Sequence, residues 1–543
     1  MSKMRTTERL RKASLKRKKN VKSSSQSKKL CQEQIKAEVP RILTGKEAAY
    51  HSFKDLIEIH SIRAFLLSWY DKSKRELPWR RMAVTESDLN KRAYAVWVSE
   101  IMLQQTQVVT VINYYNKWMQ RWPTLQDLAK ATLEEVNEMW SGLGYYSRGR
   151  RLYEGAQKVI SEFKGEMPQN AEELQKQLPG VGRYTASAIA SIAFGQVTGV
   201  VDGNAVRVLC RVRAIGADST SSTVIEALWM LANALVDPLR PGDFNQAIME
   251  LGATVCTPKA PLCSECPVKA HCRAYHQVGF ELSLKKVLKK QESVSKRLLG
   301  NTLSKISPTP DIEECENCSL CLPDKESWVG SLGVMNFPRK AAKKLPRAER
   351  TLTCVVTRKR NAEDAEEYFL VQRPNIGLLA GMWEFPSILL ESEMTEKEQK
   401  CKILDRLTEL LGSSVTEKNF QYLGEVVHIF SHIHQTYVVY SNSLNSASID
   451  TVKQGRTKCP SFRWVTKTEF QQSAVSTAMK KVLQLFSHSS TDGKLLDKDV
   501  KRIHDSETNR NKQKERKHKA STNHGGKQLS MDSFFRPTVK ESL

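Results

Sequence analysis

A chain of 543 residues, 40% of them hydrophobic, has room for two or three domains with real cores, and no apolar run approaches the roughly 20 residues of a membrane span. The net charge of +25 is concentrated: residues 1–29 hold twelve Lys/Arg against one acid and residues 491–527 eleven against six, so the two tails carry +16 of it. This composition points away from membrane and secreted classes, toward a soluble intracellular protein with a polyanionic partner. Twelve cysteines in such a chain point to metal rather than disulfides. Seven of them fall in two clusters, and Cys31, Cys210, Cys354, Cys401 and Cys459 are left over as ordinary residues.

Residues 1–45 are polar and basic and are expected to be unstructured, as an arm for nuclear import or non-specific DNA contact. From 46 to 279 helical periodicity dominates, as in the Trp97–Val111 and Val224–Leu235 runs, punctuated by Gly or Pro-Gly. The first of these runs overlaps the segment Tyr94 to Gln107, an apolar helix start interrupted by Glu100; burial among Val, Ile and Met should raise that carboxyl's pKa and keep a proton near neutral pH. The Gln104-Gln105-Thr106-Gln107 that follows suits no core. Leu178-Pro-Gly180-Val181-Gly182-Arg183-Tyr184 reads as a turn before a helix Tyr184–Phe194. Its outward N–H groups at a helix N-terminus form a phosphate nest, and Gly180 and Gly182 admit a close backbone. An apolar lead-in then delivers Asp202, with Asn204 beside it. Cys256, Cys263, Cys266 and Cys272 follow within one loop, among Lys259, Lys269 and Arg273; four thiolates suit zinc or a [4Fe–4S] cube, and softness does not choose.

Residues 280–349 lose periodicity and read as a connector, where Cys315, Cys318 and Cys321 supply three ligands and need a fourth from elsewhere. A second, α+β domain spans 350–488, with strands at Thr353–Thr357, Tyr368–Val371, Leu423–Phe430 and Thr436–Tyr440 and a helix over Glu396–Leu411. The tail, 489–543, is polar and basic except for Gln528-Leu-Ser-Met531-Asp-Ser-Phe534-Phe535, whose spacing puts Met531, Phe534 and Phe535 on one apolar knob of a short 3₁₀ turn.

Over residues 46–488 these motifs resemble the MutY family of adenine DNA glycosylases. The resemblance implies an all-α helix-hairpin-helix glycosylase domain with an iron–sulfur loop at 256–272, followed by a Nudix-like domain. It casts Glu100 as the acid at adenine N7 and Asp202 as the carboxylate opposing the oxocarbenium ion, with Asn204 orienting Asp202 and Tyr184 supporting both. Relatives that also cut the strand carry Lys where this chain has Tyr184, so a largely monofunctional enzyme is expected. The Gln104, Gln105 and Thr106 segment resembles the family's wedge. Tyr145, in Trp140-Ser-Gly-Leu-Gly-Tyr145-Tyr146-Ser-Arg148, matches the residue inserted beside the lesion base, and Leu178, Gly180, Val181, Gly182 and Arg183 match the DNA-gripping hairpin. The family's loop carries a [4Fe–4S] cluster. Its connector carries zinc, for which Cys315, Cys318, Cys321 and His51 are the matching residues; the family spaces its first two cysteines more widely, which leaves Cys315 the least secure.

Val371 to Pro386 resembles a Nudix domain, but Arg406-Leu-Thr-Glu409-Leu-Leu-Gly412 retains one carboxylate where diphosphate hydrolysis needs several. In the family this domain reads 8-oxoguanine, and Phe430-Ser431-His432 matches its reading motif. The Gln528–Phe535 segment resembles a PCNA-interacting peptide. Expected partners are duplex DNA containing 8-oxoguanine:adenine, PCNA, and other repair and checkpoint proteins through the connector and N-terminal region. A monomer in the nucleus and mitochondrion is implied. An endonuclease III-like glycosylase/lyase is opposed by Tyr184 and the second domain, and a nucleotide-pool diphosphatase by the missing carboxylates. A non-catalytic DNA-binding scaffold would leave Glu100 and Asp202 superfluous.

Overall fold

The computed structural model describes residues 50–53, 55–279, 318–323, 328–340, 346–359, 365–375, 377–392, 394–411, 415, 419–430, 433–444 and 461–491. Both basic tails, Cys315, Ser431, His432 and the Gln528–Phe535 motif lie outside these residues. No described helix is long and apolar enough to cross a membrane. The chain divides into two units, the first running to Leu345 and also taking in Arg373–Trp383 and Gln472–Ser476.

Twelve α-helices build the first unit among the described residues: α1 (Leu56–Ser73), α2 (Pro78–Thr85), α3 (Leu89–Leu103), α4 (Val108–Arg121), α5 (Leu125–Lys130), α6 (Leu133–Trp140), α7 (Ser147–Glu162), α8 (Ala171–Gln177), α9 (Arg183–Phe194), α10 (Gly203–Val212), α11 (Ser222–Leu235) and α12 (Pro241–Thr254). Their starts are written locally. Asp55, Asp88, Asn170 and Ser221 cap helix N-termini, and Thr124 with Asp127 and Thr132 with Glu135 form reciprocal capping boxes. Each cap stabilises its helix by about 1 kcal/mol.

These helices enclose two apolar cores. One gathers Ile62, Leu66, Val208, Leu228, Phe244 and Leu251, the other Trp97, Val98, Trp118, Trp140, Leu152 and Ile189. Helix α9 serves both: Ala188 faces the first while Ala186, Ile189, Ala190 and Ala193 face the second. The small residues of α9 let both halves close on it, which leaves its N-terminal end, at Tyr184, on the seam.

The Trp97–Val111 run is two helices rather than one. Helix α3 stops at Leu103 and α4 starts at Val108, because Gln105 takes a left-handed φ of 54° between them. Hydrophobic periodicity continues across such a break and cannot register it.

The second unit is built on a seven-stranded mixed sheet. Strand β1 (Arg347–Arg358) is central, parallel to β6 (Ile433–Leu444) from Arg347↔Ile433 to Arg358↔Leu444, with β5 (Gln421–Ile429) antiparallel at the edge beyond. On the other side β2 (Glu367–Gln372) pairs antiparallel with β1 and with β7 (Phe462–Thr466). The short β3 (Trp383–Glu384) flanks β2, and β4 (Ser387–Leu390) pairs with β1. Helix α13 (Glu396–Leu411) sets Ile403 and Leu407 against Leu352, Cys354 and Val356 of β1. Helices α14 (Lys467–Gln472) and α15 (Thr477–Thr491) complete the described fold. A helical domain followed by an α+β domain is therefore the architecture. Strand β1 begins ahead of the expected boundary at 350 and α15 runs past 488, since backbone pairing extends beyond the apolar residues that mark a strand.

Candidate active site and metal-ligand clusters

Glu100 projects from α3 onto the seam between the two cores. It is 5% exposed, and burial pushes its carboxyl up to about 7; Asp202's charge adds to that, while a hydrogen bond from Tyr184 and the charge of Arg80 work against it. Tyr184 stands in the first turn of α9 and donates its hydroxyl to Glu100 Oε2 at 2.6 Å. Burial and both neighbouring carboxyls raise the phenol well above 10, so it stays a donor.

Asp202 is the N-cap of α10. Its Oδ1 accepts from the backbone N–H groups of Asn204 (3.0 Å) and Ala205 (2.7 Å), and its Oδ2 accepts from Asn204 Nδ2 (2.8 Å). Three donors therefore fix the carboxylate's direction. Asn204 is itself held, accepting from Arg207 Nη2 at 2.8 Å, and Arg207 also donates to the carbonyls of Gly252 (2.6 Å) and Cys256 (2.7 Å). Gly252 makes this approach possible, since a Cβ there would stand 2.6 Å from that of Asn204.

One feature of the site escaped sequence reasoning. Glu250 of α12 is 1% exposed and receives Arg75 Nε (2.6 Å) and Nη2 (2.8 Å) and Arg80 Nη2 (2.8 Å). Burial alone would raise its pKa, but the two guanidiniums overturn that and pull it down to about 2. The pairing spans most of the helical unit, so only Arg80 beside buried Trp79 could have drawn notice.

Two loops carry Gln105 and Tyr145, the residues expected to form a wedge. Gln105 (φ 54°) and Tyr145 (φ 48°) both adopt left-handed backbone, which costs a non-glycine residue about 1–3 kcal/mol, and the Tyr145 hydroxyl donates to Gln105 Oε1 at 2.7 Å. Tyr145 is 43% exposed. Gln104 instead turns inward to Thr185 Oγ1 (3.3 Å), and the Thr106 hydroxyl donates to the Gln104 carbonyl.

In the hairpin Gly180 has φ +76°, whereas a Cβ on Gly182 would meet nothing within 4 Å. Gly182 is therefore not required by the protein's own packing. Leu178 and Val181 bury their side chains in the second core, and the Val181 N–H donates to the Leu178 carbonyl. Arg183 is engaged too, bridging to Glu226 at 2.9 Å and lying over the Trp229 ring.

Cys256, Cys263, Cys266 and Cys272 line one pocket with Val255, Leu262 and Val268. Burial raises the thiols of Cys263, Cys266 (to about 11) and Cys272 (to about 12), so the apolar walls favour anionic sulfur only with a cation among them. Arg211 reaches in, its Nη1 3.3 Å from Cys256 Sγ. Elsewhere His51, Cys318 and Cys321 bring their ligand atoms within 4.8 Å of one another, and among the described residues no such close grouping forms from the four loop sulfurs. His51 Nε2 lies 3.1 Å from Cys321 Sγ and its Nδ1 2.9 Å from the Arg213 carbonyl. The connector is fastened beside them: the Gly216 and Ala217 N–H groups donate to the Leu320 carbonyl, and a Cβ at Gly216 would lie 2.8 Å from Leu322 N.

In the second unit Phe430 packs edge-on to His428 with ring centroids 4.6 Å apart. Glu409 is salt-bridged to Arg406 at 2.9 Å on an exposed face of α13.

Residues 98–234 match the family described as HhH-GPD superfamily base excision DNA repair protein, a span that contains Glu100, Tyr184 and Asp202, and residues 360–485 match the NUDIX domain. The adenine DNA glycosylase of Homo sapiens is 53% identical over 486 residues, covering 87% of this chain and 84% of that protein. That of Rattus norvegicus is 55% identical over 449 residues, covering 82% and 81%. A solved structure of the C-terminal domain of mouse MUTYH with human PCNA is 39% identical over 28% of this chain and 97% of that one, with a TM-score of 0.23.

Proposed function

This chain belongs to the adenine DNA glycosylases, a base-excision repair family, and from that premise we propose that it flips adenine paired with 8-oxoguanine, and with guanine, out of the duplex and hydrolyses its N-glycosidic bond. The observation that carries the chemistry is Glu100, buried, bonded by Tyr184 at 2.6 Å and with its pKa raised to about 7. A carboxyl still protonated at neutral pH can donate to adenine N7 and let the base leave uncharged. Asp202, aimed by three N–H donors, meets the positive charge that develops on the sugar as the bond breaks. Tyr184 supplies a donor and no amine, so the sugar is not captured as an imine and the backbone is left for another enzyme.

The four-cysteine loop is assigned to a [4Fe–4S] cluster. A single zinc ion, with Zn–S near 2.3 Å, draws its sulfurs to roughly 3.8 Å from one another, and a cube spaces them more widely. Cys256, Cys263, Cys266 and Cys272, which line one pocket, would hold it, and it would brace the fold without acting on the base. His51, Cys318 and Cys321 suit zinc by the same measure, with Cys315 as the remaining ligand. The Arg213 carbonyl on Nδ1 would orient the imidazole for Nε2 ligation.

Reading of 8-oxoguanine is assigned to the Nudix-like unit through Phe430, Ser431 and His432, and PCNA recruitment to Gln528, Met531, Phe534 and Phe535, on the sequence motifs. The basic tails support a nuclear location, with the mitochondrion as a second compartment on family grounds.

The test is single-turnover base release from duplexes bearing adenine opposite 8-oxoguanine, guanine or thymine. Release should be fastest opposite 8-oxoguanine and negligible opposite thymine. Glu100→Gln and Asp202→Asn should each fall at least about 100-fold while binding the duplex. Equal release from all three duplexes, or active variants, would overturn the reading.

A further inference from the structure

We propose that Arg148 is a positioning residue that fastens the Gln104–Gln107 and Ser141–Tyr146 loops into one wedge, so that Gln105 and Tyr145 meet the duplex as a pair. Arg148 lies in the first turn of α7 and is 8% exposed. On one side its Nη1 donates to the carbonyls of Ile101 (2.9 Å), Met102 (3.1 Å) and Gln104, and its Nη2 to Thr106 Oγ1 (3.2 Å). On the other its Nη2 donates to the Gly144 carbonyl (3.1 Å) and its Nε to that of Tyr145 (3.4 Å). One guanidinium therefore touches both loops, and its plane lies near the Tyr145 and Trp140 rings.

No carboxylate among the described residues forms an ion pair with it. The charge is balanced instead by the last carbonyls of α3, whose C-cap, Gln104, makes no capping bond of its own. Positive φ at Gly144 (78°) and Tyr145 (48°) turns their carbonyls toward the same group. The mount is rigid. A Cβ on Gly149 would stand 2.7 Å from Trp140 Cδ2, so the helix carrying Arg148 lies flush on the ring, and Trp140 Nε1 shares the Gly144 carbonyl at 3.0 Å. Lysine, with donors at a single point, cannot span the two loops.

The inference rests on the reading of Gln105 and Tyr145 as duplex-entering residues, and the experiment separates the two. Adenine release opposite 8-oxoguanine and opposite guanine is measured under single turnover in the full chain, together with the fluorescence of a 2-aminopurine placed beside the target as a readout of base flipping. Gln105→Ala and Tyr145→Ala test the wedge; if neither changes flipping or release, that reading fails and the proposal falls with it. Arg148→Lys should slow flipping and release about tenfold or more without lowering the thermal midpoint enough to unfold the chain at assay temperature.

A second cycle needs no change at Arg148. Thr106→Val removes an acceptor of Arg148 on the loop that carries Gln105, and Tyr145→Phe removes the phenol hydroxyl through which the other loop meets Gln105 directly. If Arg148 couples the loops, Tyr145→Phe slows flipping by a smaller factor once Thr106 is Val. Additive losses across the two loops, or wild-type flipping in a folded Arg148→Lys chain, would overturn the coupling while leaving the wedge reading intact.

Discussion

Tyr184 works against the burial of Glu100. Desolvation and the Asp202 charge favour the protonated carboxyl, whereas the 2.6 Å bond from the phenol favours the ionised one. Tyr184→Phe should therefore lift the Glu100 pKa above about 7, and the alkaline limb of the single-turnover rate should move to higher pH. A profile from pH 6 to pH 9, taken as about the range either limb can occupy, checks the sign, and a shift to lower pH would contradict it. Stability follows the same group. Because the folded pKa is raised from 4.5 to about 7, Glu100 contributes fully below about 4.5 and loses that contribution as pH rises through about 7. The difference is on the order of 3 kcal/mol at 1.36 kcal/mol per pKa unit. Glu100→Gln should accordingly be more stable than wild type in urea at pH 8 and no more stable at pH 5, values chosen to lie about a unit or more either side of the transition.

At the scale of elements, the hairpin between α8 and α9 uses two glycines for two reasons. Gly180 holds φ +76°, so Gly180→Ala strains the backbone by about 1–3 kcal/mol and should lower the thermal midpoint. Gly182→Ala meets nothing in the protein and changes only an N-cap, a loss under about 1 kcal/mol, yet it should weaken duplex binding by more than Gly180→Ala does. Unchanged affinity in Gly182→Ala would mean that no DNA backbone approaches there. The turn was legible because Pro-Gly-x-Gly states its own geometry, and Tyr184, Asp202 and Asn204 were legible because they lie within one turn of helix starts that the turn sets. Glu100 was legible as an acid in an apolar run. The Arg75–Glu250–Arg80 cluster was not, since its members meet only through the packing of α1 on α12 and no local pattern encodes that. The break at Gln105 was missed for a related reason: its left-handed backbone carries no glycine or proline to announce it. The burial of Leu178 and Val181 could not be read from the motif, which names positions, whereas their inward side chains are fixed by the second core.

At the scale of the molecule, pattern and contact draw the domain boundary differently. The composition change falls near residue 350, but the first unit also includes Arg373–Trp383 and Gln472–Ser476. Met382, 1% exposed, is part of its second core; Trp383 Nε1 donates to Glu134 Oε1 at 3.0 Å, and the Ser141 hydroxyl to the Val475 carbonyl at 3.1 Å. A chain ending at Leu345 loses all three. Removing a buried Met side chain costs about 2–5 kcal/mol, and at roughly 2–4 °C per kcal/mol the thermal midpoint of the helical unit should drop by several degrees or more. Such a truncation should also lose the preference for 8-oxoguanine over guanine, and on its own it cannot say which loss causes which. Met382→Ala in the full chain separates them, since it opens the same cavity and leaves Phe430, Ser431 and His432 in place. It should reproduce much of the drop in midpoint while keeping the preference, measured as the ratio of single-turnover rates on the two duplexes. Were Met382→Ala to erode that ratio as far as truncation does, instability alone would account for the loss and the Nudix-like unit would no longer be needed as the reader. Were the truncated chain to melt where the full one does, the later segments would contribute nothing to the helical core, and the boundary near 350 would stand as a clean cut.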